Sequence, residues 1–467
     1  MNAELLSDSA DALPDSTDHL FCRDATWQAW LEVERALALT QAERGMIPAA
    51  AAAEIERCAT LDQLDREALA TDIERTMSPV MSLVRALAER CDGDAGGYVH
   101  LGATTQNIIL TGKMLQLKRS HRWLKAQLAA QLKCLADLAE RGAEWPCVSR
   151  TNRRHALPIT FGYKVAGWME ELERNVERLE AVESRAFVLT FGGASGAMHS
   201  YADEGQPLAE ALATRLGLGV SRVHSRAAID GLVEYITTLG LYAAGCERLG
   251  QELYTLMANE FEEVSENQGD EVVGSSTMPH KFNPKYAVNL LAEAGELRSL
   301  VAPALETARP SHEGDASCNF RLYKLLDQAG ALAYRVAATQ HTLLTRLAPR
   351  PERMREILMA NAAPLMSEHI MLELSDEIGR QRAHDLVHEA IVASRDGDLS
   401  FAEALFENDT VRRHYGDRAA LDQALAPGHY TGQSRQIALA MAASARHLAT
   451  RLARAFEEEK EEEGSCQ

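Results

Sequence analysis

The 467-residue chain has little with which to hold a polyanion: its formal net charge is -20, and a phosphate backbone requires a basic surface. No nucleic-acid partner is expected, whereas a small acid in a local cationic pocket fits such a balance. No apolar run reaches the roughly 18 residues of a membrane span, so no membrane association is expected either. The first twenty residues, MNAELLSDSADALPDSTDHL, lack the basic flank and apolar core of a secretory leader. The cysteines (Cys22, Cys58, Cys91, Cys134, Cys147, Cys246, Cys318 and Cys466) form no C-x-x-C pair and no metal-ligand spacing. Thiols scattered in this way suit a reducing cytoplasm. His and acidic residues show no ligand spacing, so neither a metal nor another cofactor is expected. Prolines number only 14 and fall mostly in loops, which leaves long stretches free to be helical.

What is present is helix. A hydrophobic content of 46% and a charged content of 25% are ordinary for a globular protein, and the length allows two or three domains. From Ala25, the residues Trp27, Trp30, Leu31, Val33 and Leu37 recur at helical spacing as far as Gly45. Further helices are predicted over 49–58, in short pieces over 60–92 with a break at Ser78-Pro79, and from Ile108 to about Arg141. Others follow over 159–190, 206–216, 228–262, 286–306 and 320–347. No strand-dominated region and no internal repeat is evident. A helix of about 30 residues spans about 45 Å, and several with one or two apolar faces form a bundle. The expected fold is all-α in three parts: an N-terminal helical domain 1–107, a central long-helix bundle 108–348, and a smaller helical domain 349–467. The last ends in an acidic tail, a solvated helix end or disordered segment.

Three polar segments interrupt this pattern. Thr104, Thr105, Gln106 and Asn107 precede a helix; they are either simple caps or a carboxylate site built on orphan N–H donors. Arg150, Thr151, Asn152, Arg153, Arg154 and His155 fall in an expected loop from Trp145 to Pro158. They read either as an anion trap or as a solvated basic turn. The third segment, 269–284, contains Gly274-Ser275-Ser276-Thr277-Met278-Pro279-His280-Lys281-Phe282-Asn283-Pro284. Its two prolines disfavour helix in the residues before them. It is either a Ser/Pro-rich surface turn or a catalytic loop.

The run GSSTMPHKFNP resembles the signature loop of the fumarase/aspartase superfamily, of form G-S-S-x-M-P-x-K-x-N-P. HLGATTQN resembles that family's first substrate loop, and SRTNRRHALPITFGYKVAGW its second. FCRDATWQAWLEVERALALTQAERGMIP and LAPGHYTGQSRQIA are most similar to the 3-carboxy-cis,cis-muconate cycloisomerase and adenylosuccinate lyase branch. The resemblance implies a homotetramer with a twenty-helix core, whose active sites are shared between subunits and take a small dicarboxylate. It implies that Ser275 is the base, removing a proton beside a carboxylate to give a dianionic aci-carboxylate that expels the neighbouring group. Lys281 and Asn283 would hold that carboxylate as charge builds on it. Substrate binding would fall to Thr104, Thr105, Gln106, Ser78, Arg150, Thr151, Asn152, Arg153, His155, Ser276, Thr277 and Met278. His100, His155, His280 and His312 stand as possible auxiliary acids.

The departures from the family pattern bear on the substrate. Fumarase and adenylosuccinate lyase carry Thr-His in the second loop, paired with a glutamate on a later helix; here stand Thr151-Asn152 and Val288. A carboxamide is no general acid, so a leaving group that needs no protonation is expected. The cycloisomerase branch has Lys-Arg-Asn-Pro and His-Glu-Arg, against Lys281-Phe282-Asn283-Pro284 and His312-Glu313-Gly314 here. Val223-His224-Ser225-Arg226-Ala227 echoes only weakly the relatives' Gln-Arg-Asp-Arg run. The leading expectation is a lyase releasing fumarate from an N-substituted aspartate or nitrogen-bearing succinate, such as iminodisuccinate or nitrosuccinate. The alternatives are a cycloisomerase-type lactonising enzyme and an inactive structural homologue.

Overall fold

A computed structural model describes residues 13–14, 16–269, 275, 277–278, 280–360, 362–397 and 399–465, except for the side chains of 396 and 462–465. The fold is all-α. The helices of the first third are α1 (Arg23–Glu43), α2 (Ala49–Cys58), α3 (Arg66–Thr76) and α4 (Pro79–Arg90). Trp27, Trp30 and Leu31 bury one face of α1 against α5 (Thr105–Gly142).

The expected loop after α5 is instead a hairpin of β1 (Pro146–Thr151) and β2 (Arg154–Thr160), paired antiparallel with Thr151 opposite Arg154. Its two-residue turn is Asn152-Arg153, with φ of 49° and 62°. Positive φ at both central residues is the geometry whose twist matches two right-twisted strands. The arginine-rich sequence hid this strand pair, because its alternation is short and only one of its two turn residues favours a positive φ.

After α6 (Phe161–Ala186) and α7 (Gly205–Leu216), the chain runs through α8 (Asp230–Leu256) into β3 (Val264–Glu266). Helix 286–306 is divided into α9 (Lys285–Ser299) and α10 (Val301–Thr307). Pro303 lies just inside α10, where its ring conflicts with the Ser299 carbonyl of a continuous helix. The chain then passes through α11 (Ala316–Thr345) into β4 (Leu347–Pro349), which pairs with β3.

α5, α6, α8 and α11 pack as a long bundle, with α9 lying against α8 and α11. The α5–α6 approach is close enough to require glycine: a Cβ on Gly162 would stand 2.5 Å from the Ala139 carbonyl oxygen. Beyond α12 (Pro351–Ala360), a second core forms around Met366, Ile370, Leu374, Leu405, Val411 and Leu421. It is built from α13 (Ala362–Leu365), α14 (Ser367–Ile378), α15 (Arg380–Asp396), α16 (Phe401–Phe406), α17 (Asp409–Tyr415) and α18 (Arg418–Ala424). The last helix, α19 (Ser434–Ser465), returns to the bundle, and Ala442, Ala445, Ala449 and Leu452 join the main core along α5 and α6.

Candidate active site

The connections put the three polar segments at the two ends of the bundle. α5 is 38 residues long, about 57 Å at 1.5 Å per residue. Thr104, Thr105 and Gln106 stand at its N-terminal end, and the hairpin leaves its C-terminal end. α8 runs from the first end towards the second, and β3 follows it to lead into the segment with Ser275. Among the described residues, no hydrogen bond or ion pair joins any of the three segments to another.

At the first end, Thr104 precedes α5 and its N–H donates to Asn107 Oδ1 at 3.2 Å. The same oxygen accepts from Gly193 N–H at 3.1 Å, so Asn107 ties this turn to the glycine loop at 192–196. Gln41 Nε2 and the Tyr201 hydroxyl both donate to the Leu101 carbonyl, at 2.8 and 3.1 Å. His100 is engaged with the buried Glu34, Nδ1 to Oε1 at 2.6 Å. Thr104 and Thr105 are half-buried. Gln106 is buried, its Oε1 accepting from Arg226 Nε while its Nε2 finds no partner among the described residues. Ser78 is half-buried at the start of α4.

At the second end, Thr151, Asn152, Arg153 and Arg154 form the exposed hairpin tip. Arg150 is not a free cation. Its guanidinium pairs with the buried Glu263, Nη2 to Oε1 at 2.5 Å, and lies 4.6 Å over the Phe261 ring. His155, opposite Arg150 in the hairpin, has its pKa lowered first by burial and then by the Arg150 charge.

In the signature segment the Ser275 N–H donates to the Lys281 carbonyl at 3.0 Å, and the Lys281 N–H to the Met278 carbonyl at 2.9 Å. Ser275 Oγ accepts from the Met278 N–H at 3.2 Å. A backbone donor on that oxygen favours its ionised form, as a serine base needs. Thr277, Met278, His280, Lys281, Phe282 and Asn283 are exposed, and Ser276 lies outside the described residues. The segment is anchored below: Gln268 Nε2 donates to the Asn283 carbonyl at 2.5 Å. Glu266 accepts from the N–H groups of Tyr286 and Ala287 at 3.1 and 2.7 Å, a carboxylate cap on the first turn of α9. Val288 is exposed in that turn and His312 is exposed ahead of α11. Among the described residues, no three His, Cys, Asp or Glu side chains converge as metal ligands.

A family model described as lyase matches residues 6–297, and one described as adenylosuccinate lyase C-terminus matches 364–455. The chain belongs to the fumarase/aspartase superfamily. It is an enzyme of that superfamily, similar to its cycloisomerase and adenylosuccinate lyase members. One relative is the N-acetyl-S-(2-succino)cysteine lyase of Enterococcus italicus, 34% identical over 86% of this chain and 88% of that protein. Another is the 3-carboxy-cis,cis-muconate cycloisomerase of Pseudomonas aeruginosa, 35% identical over 87% of this chain and 89% of the other. The crystal structure of a fumarate lyase from Mesorhizobium sp. BNC1 superposes with a TM-score of 0.85 at 29% identity, covering 92% of this chain and 98% of that one.

No role for Arg226 or His224 is legible in the sequence; both line one cavity beside Gln106. The only signal was the departure of Val223-His224-Ser225-Arg226 from the relatives' run, and it takes the fold to bring Arg226 onto Gln106.

Proposed function

We propose that this superfamily lyase catalyses reversible β-elimination from a substituted succinate to give fumarate, with Ser275 as the base. The observation that carries this reading is the hydrogen bond from the Met278 N–H to Ser275 Oγ, inside a turn that also holds Lys281 and Asn283. Ser275 takes the proton from the carbon beside a carboxylate. Lys281 and Asn283 hold that carboxylate and gain interaction energy as it becomes the dianion. The aci-carboxylate then collapses, forming the carbon–carbon double bond and releasing the leaving group with its bonding electrons.

Thr104, Thr105 and Gln106 take the second carboxylate, and they come from another copy of the chain. Segments at opposite ends of a helix about 57 Å long cannot meet within one protomer. A homotetramer supplies the missing ends. Leu241 and Tyr254 on α8, Val288 on α9, Leu305 on α10 and Phe320 on α11 are exposed on this protomer and suit burial between copies.

The leaving group departs without the missing histidine acid. A nitrogen that enters already protonated meets that condition, as does nitrite, so an N-substituted aspartate or other nitrogen-bearing succinate is the substrate class. A sulfur-linked succinate meets it too, because a thiol of pKa about 8.5 is acidic enough to depart as the thiolate without a proton donor. The similarity to an N-acetyl-S-(2-succino)cysteine lyase favours this second reading.

The test is fumarate absorbance with panels of nitrogen- and sulfur-linked succinates and with 3-carboxymuconate. Fumarate release from a succinate adduct is expected, and Ser275→Ala should lower it by about 10²–10⁴-fold with the fold retained. Turnover of 3-carboxymuconate alone would replace elimination with lactonisation, and an active Ser275→Ala would remove Ser275 as the base.

A further inference from the structure

Buried polar atoms beside the start of α5 that have no hydrogen-bond partner among the described residues include Gln106 Nε2 and both ring nitrogens of His224. Both side chains line one cavity of about 360 Å³, a volume at the small end of ligand pockets. Gln106 is 4% exposed and His224 7%. The His224 ring is fixed by edge-on contact with Phe191, centroids 6.1 Å apart. Burial lowers its pKa, so near neutral pH the imidazole carries one donor and one acceptor, both awaiting a partner. Native interiors leave few such atoms unsatisfied, so these groups are free to bond a water or a polar ligand in the cavity.

Arg226 supplies charge at the same wall. Among the described residues its guanidinium donates to two neutral oxygens, Gln106 Oε1 and the Ala194 carbonyl. Among the described residues it has no carboxylate at ion-pair distance. Its place depends on Gly314, which has φ +79° and where a Cβ would stand 2.8 Å from Arg226 Nη2. A side chain at 314 and a guanidinium in this position exclude one another. The remaining wall is mixed: Leu189, Phe191, Val220 and Ile229 are apolar, while Ser221, Ser225, Arg185 and Asp230 add polar and charged groups. A guanidinium without a carboxylate partner among the described residues, orphaned hydrogen-bonding groups and a part-apolar wall together describe a receptor for a small organic anion.

We propose that this cavity receives the departing part of the substrate and that this part carries an anionic group. Arg226 holds the anionic group, His224 hydrogen-bonds a polar atom beside it, and Gln106 separates this pocket from the fumarate side. The term leaving group rests on the elimination reading; the preference for a small organic anion does not.

The experiment is calorimetric titration of the full-length protein with three probes: N-acetylglycine, the uncharged N-acetylglycinamide, and fumarate. N-acetylglycine is expected to bind at least about tenfold more tightly than its amide, the scale of one charge-assisted contact. Arg226→Gln should erase that difference. His224→Phe should weaken N-acetylglycine by about tenfold and leave fumarate within about twofold, and His224→Gln should restore most of the loss. Equal binding of the two glycine derivatives to the unaltered protein would overturn the pocket, and that comparison requires no variant to fold. A His224→Phe variant that loses both acids equally would reduce His224 to a packing residue. Binding of N-acetylglycine through Arg226 without any binding of fumarate would sustain the pocket and overturn the elimination reading.

Discussion

Arg150 shows how far a side chain's partners outweigh its charge. In the sequence it belongs to a basic cluster that suits anion capture. In the fold its guanidinium faces Glu263, which has no solvent exposure, and stacks on Phe261. Removing one member of such a pair leaves an uncompensated buried charge. Arg150→Ala is therefore expected to cost about 3–5 kcal/mol of stability. Denaturant unfolding measures this, and a midpoint unchanged from the parent would mean that Glu263 is relieved by some other group. Arg226 is the opposite case. It came to notice only as a remnant of the relatives' run, yet its guanidinium is bound to neutral oxygens beside Gln106. The cations available to a substrate differ from those the basic cluster suggested.

The hairpin of β1 and β2 gives Asn152 a structural role beside its chemical one. Asn and Gly tolerate the left-handed conformation at φ 49°, whereas a β-branched residue is strained there. Asn152→Gly should leave stability within about 0.5 kcal/mol, and Asn152→Val should lose about 1–2 kcal/mol. Thermal unfolding of the two variants separates the roles. If Asn152→Gly also retains turnover, the carboxamide is only a turn former, and the absence of a histidine at this position is what matters chemically. Among the other elements, β3 has the greatest bearing on the site. Its Glu266 carboxylate caps α9, which fixes the base of the segment with Ser275.

At the scale of the molecule, the length of α5 holds Gln106 and the segment with Ser275 apart, so the proposed site draws them from different copies. Ser275→Ala and Gln106→Ala proteins should each be inactive. Mixing and reassembling them should restore activity, because some sites then draw an intact Ser275 and an intact Gln106 from different copies. No recovery in subunits shown to have exchanged would confine the site to one protomer. The bundle interior also sets the response to acid. Burial lowers the pKa of His121, His224 and His341 below the ordinary value near 6.5. Unfolded histidines then bind protons at a pH where the folded ones do not, so stability should fall as pH drops below about 6.5. Unfolding midpoints at pH 7.5 and 5.5 test the sign, and a midpoint that is unchanged or higher at pH 5.5 would contradict it.

The sequence by itself determined the helical class and most helix limits, including 49–58 and the break at Ser78-Pro79, because periodicity and proline act over a few neighbouring residues. It also determined the family, through a signature whose residues are contiguous. The hairpin escaped it, since a type of turn set by two φ angles leaves a weak trace in Asn-Arg. Only the tertiary structure decided which polar groups are free. Arg150 meets Glu263 across 113 positions and Arg226 meets Gln106 across 120. Gly314 makes room for a guanidinium far from it in the chain. Contacts of that span are set by how helices pack end to end, and no local pattern of residues records them.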